Sequence, residues 1–88
     1  MSYSLEISED LNKTFGKLSK KDKKTFEIIN KKIKEILENP YHYKPLKAPF
    51  QNKRRVHIAG CFVLIFKIEE QRKTVQLLDF EHHDKAYK

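Results

Sequence analysis

Two histidines, His57 and His83, a tyrosine four residues beyond the second (Tyr87), and the cations Lys44, Lys47, Lys53, Arg54 and Arg55 are the side chains of this sequence best suited to a reaction. Imidazole gains and loses a proton near neutral pH and can act as base or acid. Guanidinium and ammonium groups hold fixed positive charge where a phosphorane gathers negative charge. Such a set suits metal-free cleavage of RNA. A base takes the proton of the ribose 2′-hydroxyl, and an acid protonates the leaving 5′-oxygen. The chain has no glycine-rich phosphate loop, Gly-x-Ser-x-Gly elbow, His-Glu-x-x-His pair or Cys-x-x-Cys. Hydride transfer, ATP hydrolysis and zinc-finger binding therefore lack motif support, and neither cofactor nor metal is expected.

Each candidate also has a plainer reading. His57 alternates with its strand neighbours and could be a half-exposed strand residue. His82 shares the alternation of Leu78 and Phe80, which places it at the edge of a core. His42 lies between two tyrosines and reads as loop packing. Tyr87 could pin the tail to a sheet or stack on a base. Cys61 reads as a small buried side chain. A zinc quartet of His57, Cys61, His82 and His83 follows no standard spacing.

The elements that must position these groups fit one domain, residues 1–88. Apolar types make up 39% of the chain and charged types 35%, the balance of a small globule with a core. The longest apolar run, Cys61 to Phe66, falls far short of the roughly 20 residues of a membrane helix, so no membrane association is expected. With no visible secretory signal and a single cysteine, a reducing cytoplasm is the expected location. The net charge of +7 is unevenly spread. Residues 13–55 hold fourteen Lys and Arg against four Asp and Glu, residues 1–12 hold only acids, and residues 56–88 balance. A block of this kind reads as a polyanion-binding surface or a docking site for an acidic protein. A solvated lysine-rich helix face is the bland alternative.

Tyr3, Leu5 and Ile7 alternate with polar residues as in a strand. Ser8 can cap a helix with the stripe Leu11, Phe15 and Leu18, and Glu9 and Asp10 suit its positive end. Ser19 to Asp22 interrupts the stripe, and either residue could cap a second helix carrying Phe26, Ile29, Ile33, Ile36 and Leu37. Asn39-Pro40 stops it. All three prolines fall between Asn39 and Asn52, a long loop of the kind that often carries function. Arg55 and His57 then face one way while Val56 and Ile58 face the other, and Ala59-Gly60 forms a turn. Phe62 to Phe66 is apolar on both sides, which suits a central strand. Glu69 to Lys73 is a charged turn, and Thr74 to Phe80 a last strand. The order β-α-α-β-β-β describes an α+β fold, a small antiparallel-dominated sheet with a helical hairpin packed on one face.

That order, the basic segment before the second strand, Gly60 leading into Phe62-Val63-Leu64-Ile65-Phe66 and the closing His-x-x-x-Tyr resemble the RelE/ParE superfamily of toxin–antitoxin toxins. Within it, the pattern is most similar to the RelE and YafQ-like mRNA interferases. Their Pro-Leu-Lys-Gly-type loop is matched by Pro45-Leu46-Lys47-Ala48, their His-Ile pair by His57-Ile58, their core strand by Leu64-Ile65-Phe66, and their terminal His-x-x-x-Phe by His83-Asp84-Lys85-Ala86-Tyr87. The resemblance covers essentially the whole chain. It implies a RelE-like fold with a concave basic site that enters the ribosome and cuts messenger RNA. It also implies a cognate, RelB-like antitoxin that suppresses the toxin in a hetero-oligomer.

Carried over position by position, His57 and His83 match the catalytic imidazoles, Tyr87 the terminal aromatic, and Arg55 with His57 the alternating basic residues of the strand. Lys44 falls where the YafQ-like branch has a histidine. Lys47, Lys53 and Arg54 remain as phosphate-binding candidates. Two positions depart from the pattern. Val63 stands where RelE-type members carry an arginine, and Cys61 where YafQ-like members carry an acid.

The implied function is a ribosome-dependent endoribonuclease acting by 2′-hydroxyl attack. One alternative is a non-catalytic ParE-like toxin that inhibits DNA gyrase, which the histidine pair argues against. Another is a general nucleic-acid-binding module, although no arginine-rich recognition helix is visible.

Overall fold

The first alternating segment forms β1, Ser4–Ile7, in a computed structural model that describes residues 2–82. Ser8 then starts α1, Glu9–Lys21: its Oγ accepts the Leu11 N–H at 3.2 Å, satisfying one of the helix's orphan donors. Glu9 and Asp10 in the first turn and Lys20 and Lys21 in the last complement the helix dipole. Of the two residues that could cap the second helix, Asp22 does so. Its carboxylate accepts the Thr25 N–H at 3.1 Å and the Thr25 hydroxyl at 2.7 Å, opening α2, Lys23–Glu38. Ser19 instead lies within α1, where its hydroxyl donates to the Gly16 carbonyl. Asn39 ends α2, and buried Pro40 opens a 3-10 turn, Pro40–His42.

Three further strands follow: β2, Lys53–Ile58; β3, Phe62–Glu69; and β4, Thr74–His82. The sheet order is β1-β4-β3-β2, with β1 parallel to β4 and the remaining pairs antiparallel. β3 is interior, as its two apolar sides require. Ala59 (φ 55°) and Gly60 (φ 78°) both adopt left-handed backbone in the three-residue β2–β3 connection, which the Cys61 N–H closes by donating to the Ile58 carbonyl at 3.3 Å. The helices cover one face of the sheet. Leu11 and Phe15 of α1 and Ile29, Ile33 and Ile36 of α2 are buried in one core with Val56, Ile58, Leu64, Phe66, Val75 and Leu77. No helix among the described residues is long and apolar enough to cross a membrane.

One feature of β4 departs from simple alternation. Ile65 pairs with Asp79 and Phe66 with Leu77, so Leu78 is an extra residue in a β-bulge. Leu77 and Phe80 both reach the core, while Leu78 is 38% exposed. The expected shared face of Leu78, Phe80 and His82 is therefore corrected for Leu78. Phe80 and His82 do stay together around Phe62, stacked and edge-on at 4.9 and 5.6 Å.

Candidate functional site

The face of the sheet away from the helices carries the candidate chemistry. Because paired residues share a face, the strand registers lay its side chains out in rows. One row runs His57, Val63, Glu81; the next Arg55, Ile65, Asp79; and the third Lys53, Lys67, Gln76, Glu6. Cations thus line the β2 side and two carboxylates the β4 side. Val63 and Ile65 form an apolar floor between them.

The segment from Pro40 to Asn52 folds back along the start of β2. Pro45 bridges Arg54, the Leu46 N–H donates to the Lys53 carbonyl at 2.9 Å, and the Phe50 N–H to the Lys47 carbonyl at 2.9 Å. Two hollows result, sharing Leu46. A cationic one of about 480 Å³ is lined by Lys44, Pro45, Leu46, Lys47 and Arg55. A second, of about 430 Å³, lies over the sheet and includes Phe50, Lys53, Val63, Ile65, Asp79 and Glu81 in its wall. Phe50 is 52% exposed, and the Lys53 ammonium sits 5.2 Å from its ring centre.

The structure therefore brings together Lys44, Lys47, Lys53 and Arg55. His57 stands on the same face beside Arg55, exposed, toward the β2–β3 turn and outside both hollows. Arg54 does not join them. It pairs across strands with fully buried Phe66, on the helix side, donates to the Tyr43 carbonyl and lies 5.1 Å from the Tyr41 ring centre. That removes it from the expected phosphate clamp and makes it a support for the loop instead. His83 and Tyr87 lie outside the described residues. His57 and His82 occupy opposite sheet faces, so the zinc quartet cannot converge.

Sequence reasoning missed Lys67, Asp79 and Glu81. Asp79 and Glu81 share a period of two, which is a strand signal. It was masked because the bulge at Leu78 shifts their side chains against the apolar alternation of Val75 and Leu77.

Behind the loop, a polar network holds its base. Tyr3 and Tyr41 both donate to Oε1 of Glu70, at 2.7 and 2.6 Å, and the Lys73 ammonium donates to Oε2. The hydrogen bond from Lys73, then those from Tyr41 and Tyr3, hold the Glu70 carboxyl down at about 2. Accepting those bonds in turn, Glu70 raises both phenols above their ordinary value. The Tyr43 ring meets Phe66 edge-on at 5.8 Å, fixing the next residue of the loop to the core. The loop that carries Lys44 and Lys47 is thus anchored at Tyr41, Tyr43 and Arg54.

Two helices packed on one face of a four-strand mixed sheet, with Lys44, Lys47, Lys53 and Arg55 on the open side, define the α+β class of this chain. The ParE toxin family of type II toxin–antitoxin systems matches residues 2–87, and the chain belongs to that family within the RelE/ParE superfamily. A Methanocaldococcus jannaschii protein provisionally named toxin RelE4 is 50% identical, the alignment spanning 98% of this chain and 92% of that protein. An uncharacterised Methanosarcina mazei protein is 53% identical over 97% of this chain and 99% of its own length. Among solved structures, the free Escherichia coli RelE toxin carrying two arginine-to-alanine changes superposes with a TM-score of 0.78 at 20% identity, covering 99% of this chain and 90% of that one. The Mycobacterium tuberculosis RelBE2 toxin–antitoxin complex superposes with a TM-score of 0.76 at 16% identity, covering 94% of this chain and 100% of the matched one. At those identities the superpositions establish the shared fold.

Proposed function

We propose that this toxin is a metal-independent, ribosome-dependent endoribonuclease neutralised by a cognate antitoxin. The observation that carries the reading is the convergence of Lys44, Lys47 and Arg55 on one hollow, with Lys53 and His57 on the same sheet face. A phosphodiester in that hollow meets the fixed positive charges of Lys44, Lys47 and Arg55 that line it. The ribose 2′-oxygen attacks phosphorus, its proton passes to a base, and the P–O5′ bond breaks as an acid protonates the 5′-oxygen. The products are a 2′,3′-cyclic phosphate and a 5′-hydroxyl. His57 and His83 take the acid and base roles in this scheme, Arg55 stabilises the phosphorane, and Tyr87 stacks on a base. An antitoxin partner is supported by family membership and by the complex formed by the mycobacterial relative.

Primer extension on ribosome-bound message, comparing wild type with Arg55→Ala and His83→Ala, tests this directly. Cutting by the wild type that both variants lose is the expected result, and equal cutting by all three removes those residues from the mechanism.

A second reading, gyrase inhibition without hydrolysis, is favoured by one observation. Val63 is 1% exposed, so the position where RelE-type members carry an arginine is packed here. Inhibition of supercoiling by protein that cuts no message would select that reading.

A further inference from the structure

We infer that the hollow between Phe50 and the two β4 carboxylates reads a nucleobase and selects guanine; this rests on RNA being the substrate of the adjoining cationic hollow. The two hollows meet at Leu46 and differ in character. One is lined by cations and suits a phosphate. The other has an apolar floor of Val63 and Ile65, an exposed aromatic wall in Phe50, and carboxylates at its far side. β2 and β4 are two strand spacings apart, roughly 10 Å. That span matches the reach from a backbone phosphate to the far edge of its own base. Phe50 offers a stacking surface, which any base can use. Selection then falls to Asp79 and Glu81.

An ionised carboxylate only accepts hydrogen bonds. Guanine presents two adjacent donors, N1–H and the 2-amino group, and so can pair with both oxygens of one carboxylate. Adenine and cytosine offer an amino group beside an acceptor nitrogen, and uracil a single N–H between two carbonyls that a carboxylate repels. The Glu81 side chain is half-buried and makes no hydrogen bond or ion pair among the described residues. Asp79 keeps Oδ1 on the Phe80 N–H at 3.0 Å, which fixes the direction of its carboxylate. The bulge at Leu78 is the device that turns both acids onto the open face while Leu77 and Phe80 stay in the core.

The test is an NMR titration of the full chain with guanosine, inosine, adenosine, cytidine and uridine 3′-monophosphates, for wild type, Glu81→Gln and Asp79→Asn. Inosine lacks the 2-amino group and isolates the second donor. Wild type should bind the guanosine nucleotide about tenfold more tightly than the inosine or uridine nucleotide, as one well-made bidentate pair is worth. Shifts should centre on the Val63 and Ile65 amides, and Glu81→Gln should erase most of the preference. Equal affinity for all five nucleotides on the wild type, which requires no variant to fold, overturns the inference. So does a preference that both variants leave intact. Message cutting with no guanine preference in binding sinks this pocket and leaves the reaction standing. Guanine selection by a protein that cuts nothing keeps the pocket and removes the reaction.

Discussion

Arg55 and Arg54 are adjacent in sequence and opposite in duty, because neighbouring strand residues point to opposite faces. Arg55 opens onto the cationic hollow, whereas Arg54 supports the loop from behind through the Tyr43 carbonyl and the Tyr41 ring. On the proposed cleavage, Arg55→Ala should lower message cutting about 100-fold and cost less thermal stability than Arg54→Ala, as loss of one preorganised donor does in enzymes. Arg54→Ala should instead lower the melting temperature and weaken substrate binding through the loop. A melting curve beside the cutting assay separates the two. Val63 presents a different situation. At 1% exposure on the floor of the second hollow, a longer side chain must displace the groups that cover it, so Val63→Arg should cost about 1–3 kcal/mol of stability in a denaturant titration, as overpacking typically does.

Among the elements, the β2–β3 turn and the α1–α2 junction control how the site-bearing strands are placed. Ala59 occupies left-handed backbone at φ 55°, which a side chain with a Cβ disfavours. Ala59→Asn creates the Asn-Gly pair preferred in such turns and should stabilise the protein by about 0.5–1 kcal/mol, read as a shift of the urea midpoint at constant slope. Asp22 caps α2 through both the N–H and the hydroxyl of Thr25, so Asp22→Ala should cost about 1 kcal/mol. The loop between Pro40 and Asn52 gains its shape from contacts distant in sequence, Tyr41 with Glu70 and Tyr43 with Phe66. That explains why its residues were legible as a functional segment while its conformation was not.

Across the whole molecule, the Glu70 network couples the start of β1, the loop and the β3–β4 connection, and it makes stability depend on pH at both extremes. The folded Glu70 carboxyl titrates at about 2 against an ordinary 4.5. A depressed value means that its contribution is present above about 4.5 and is lost as pH falls toward 2. The Tyr3 and Tyr41 phenols are shifted upward from 10, so their contribution is present below pH 10 and is lost as pH rises through their folded values. Glu70→Gln should flatten the acid limb of a stability-against-pH profile measured by thermal melting. An unchanged acid limb would place the loss at other carboxylates. Binding of single-stranded RNA should weaken steeply with salt, because fixed cations on one face displace counterions from the phosphates.

The sequence by itself determined the element order, the cap at Ser8, the Ala59-Gly60 turn, the interior position of Phe62 to Phe66 and the family resemblance, while the choice of Asp22 over Ser19 as the second cap came from the structure. These follow from periodicity and local backbone chemistry, which act between residues a few positions apart. It also placed Arg55 and His57 on one face, since alternation along a strand needs no knowledge of the fold. Only the tertiary structure decided which residues share a hollow. Lys44 and Lys47 reach Arg55 because the loop folds back on β2, and Arg54 is excluded because Phe66 sets its face. Asp79 and Glu81 arrive opposite them because cross-strand register and a single inserted residue at Leu78, both properties of paired strands, fix where β4 presents its side chains.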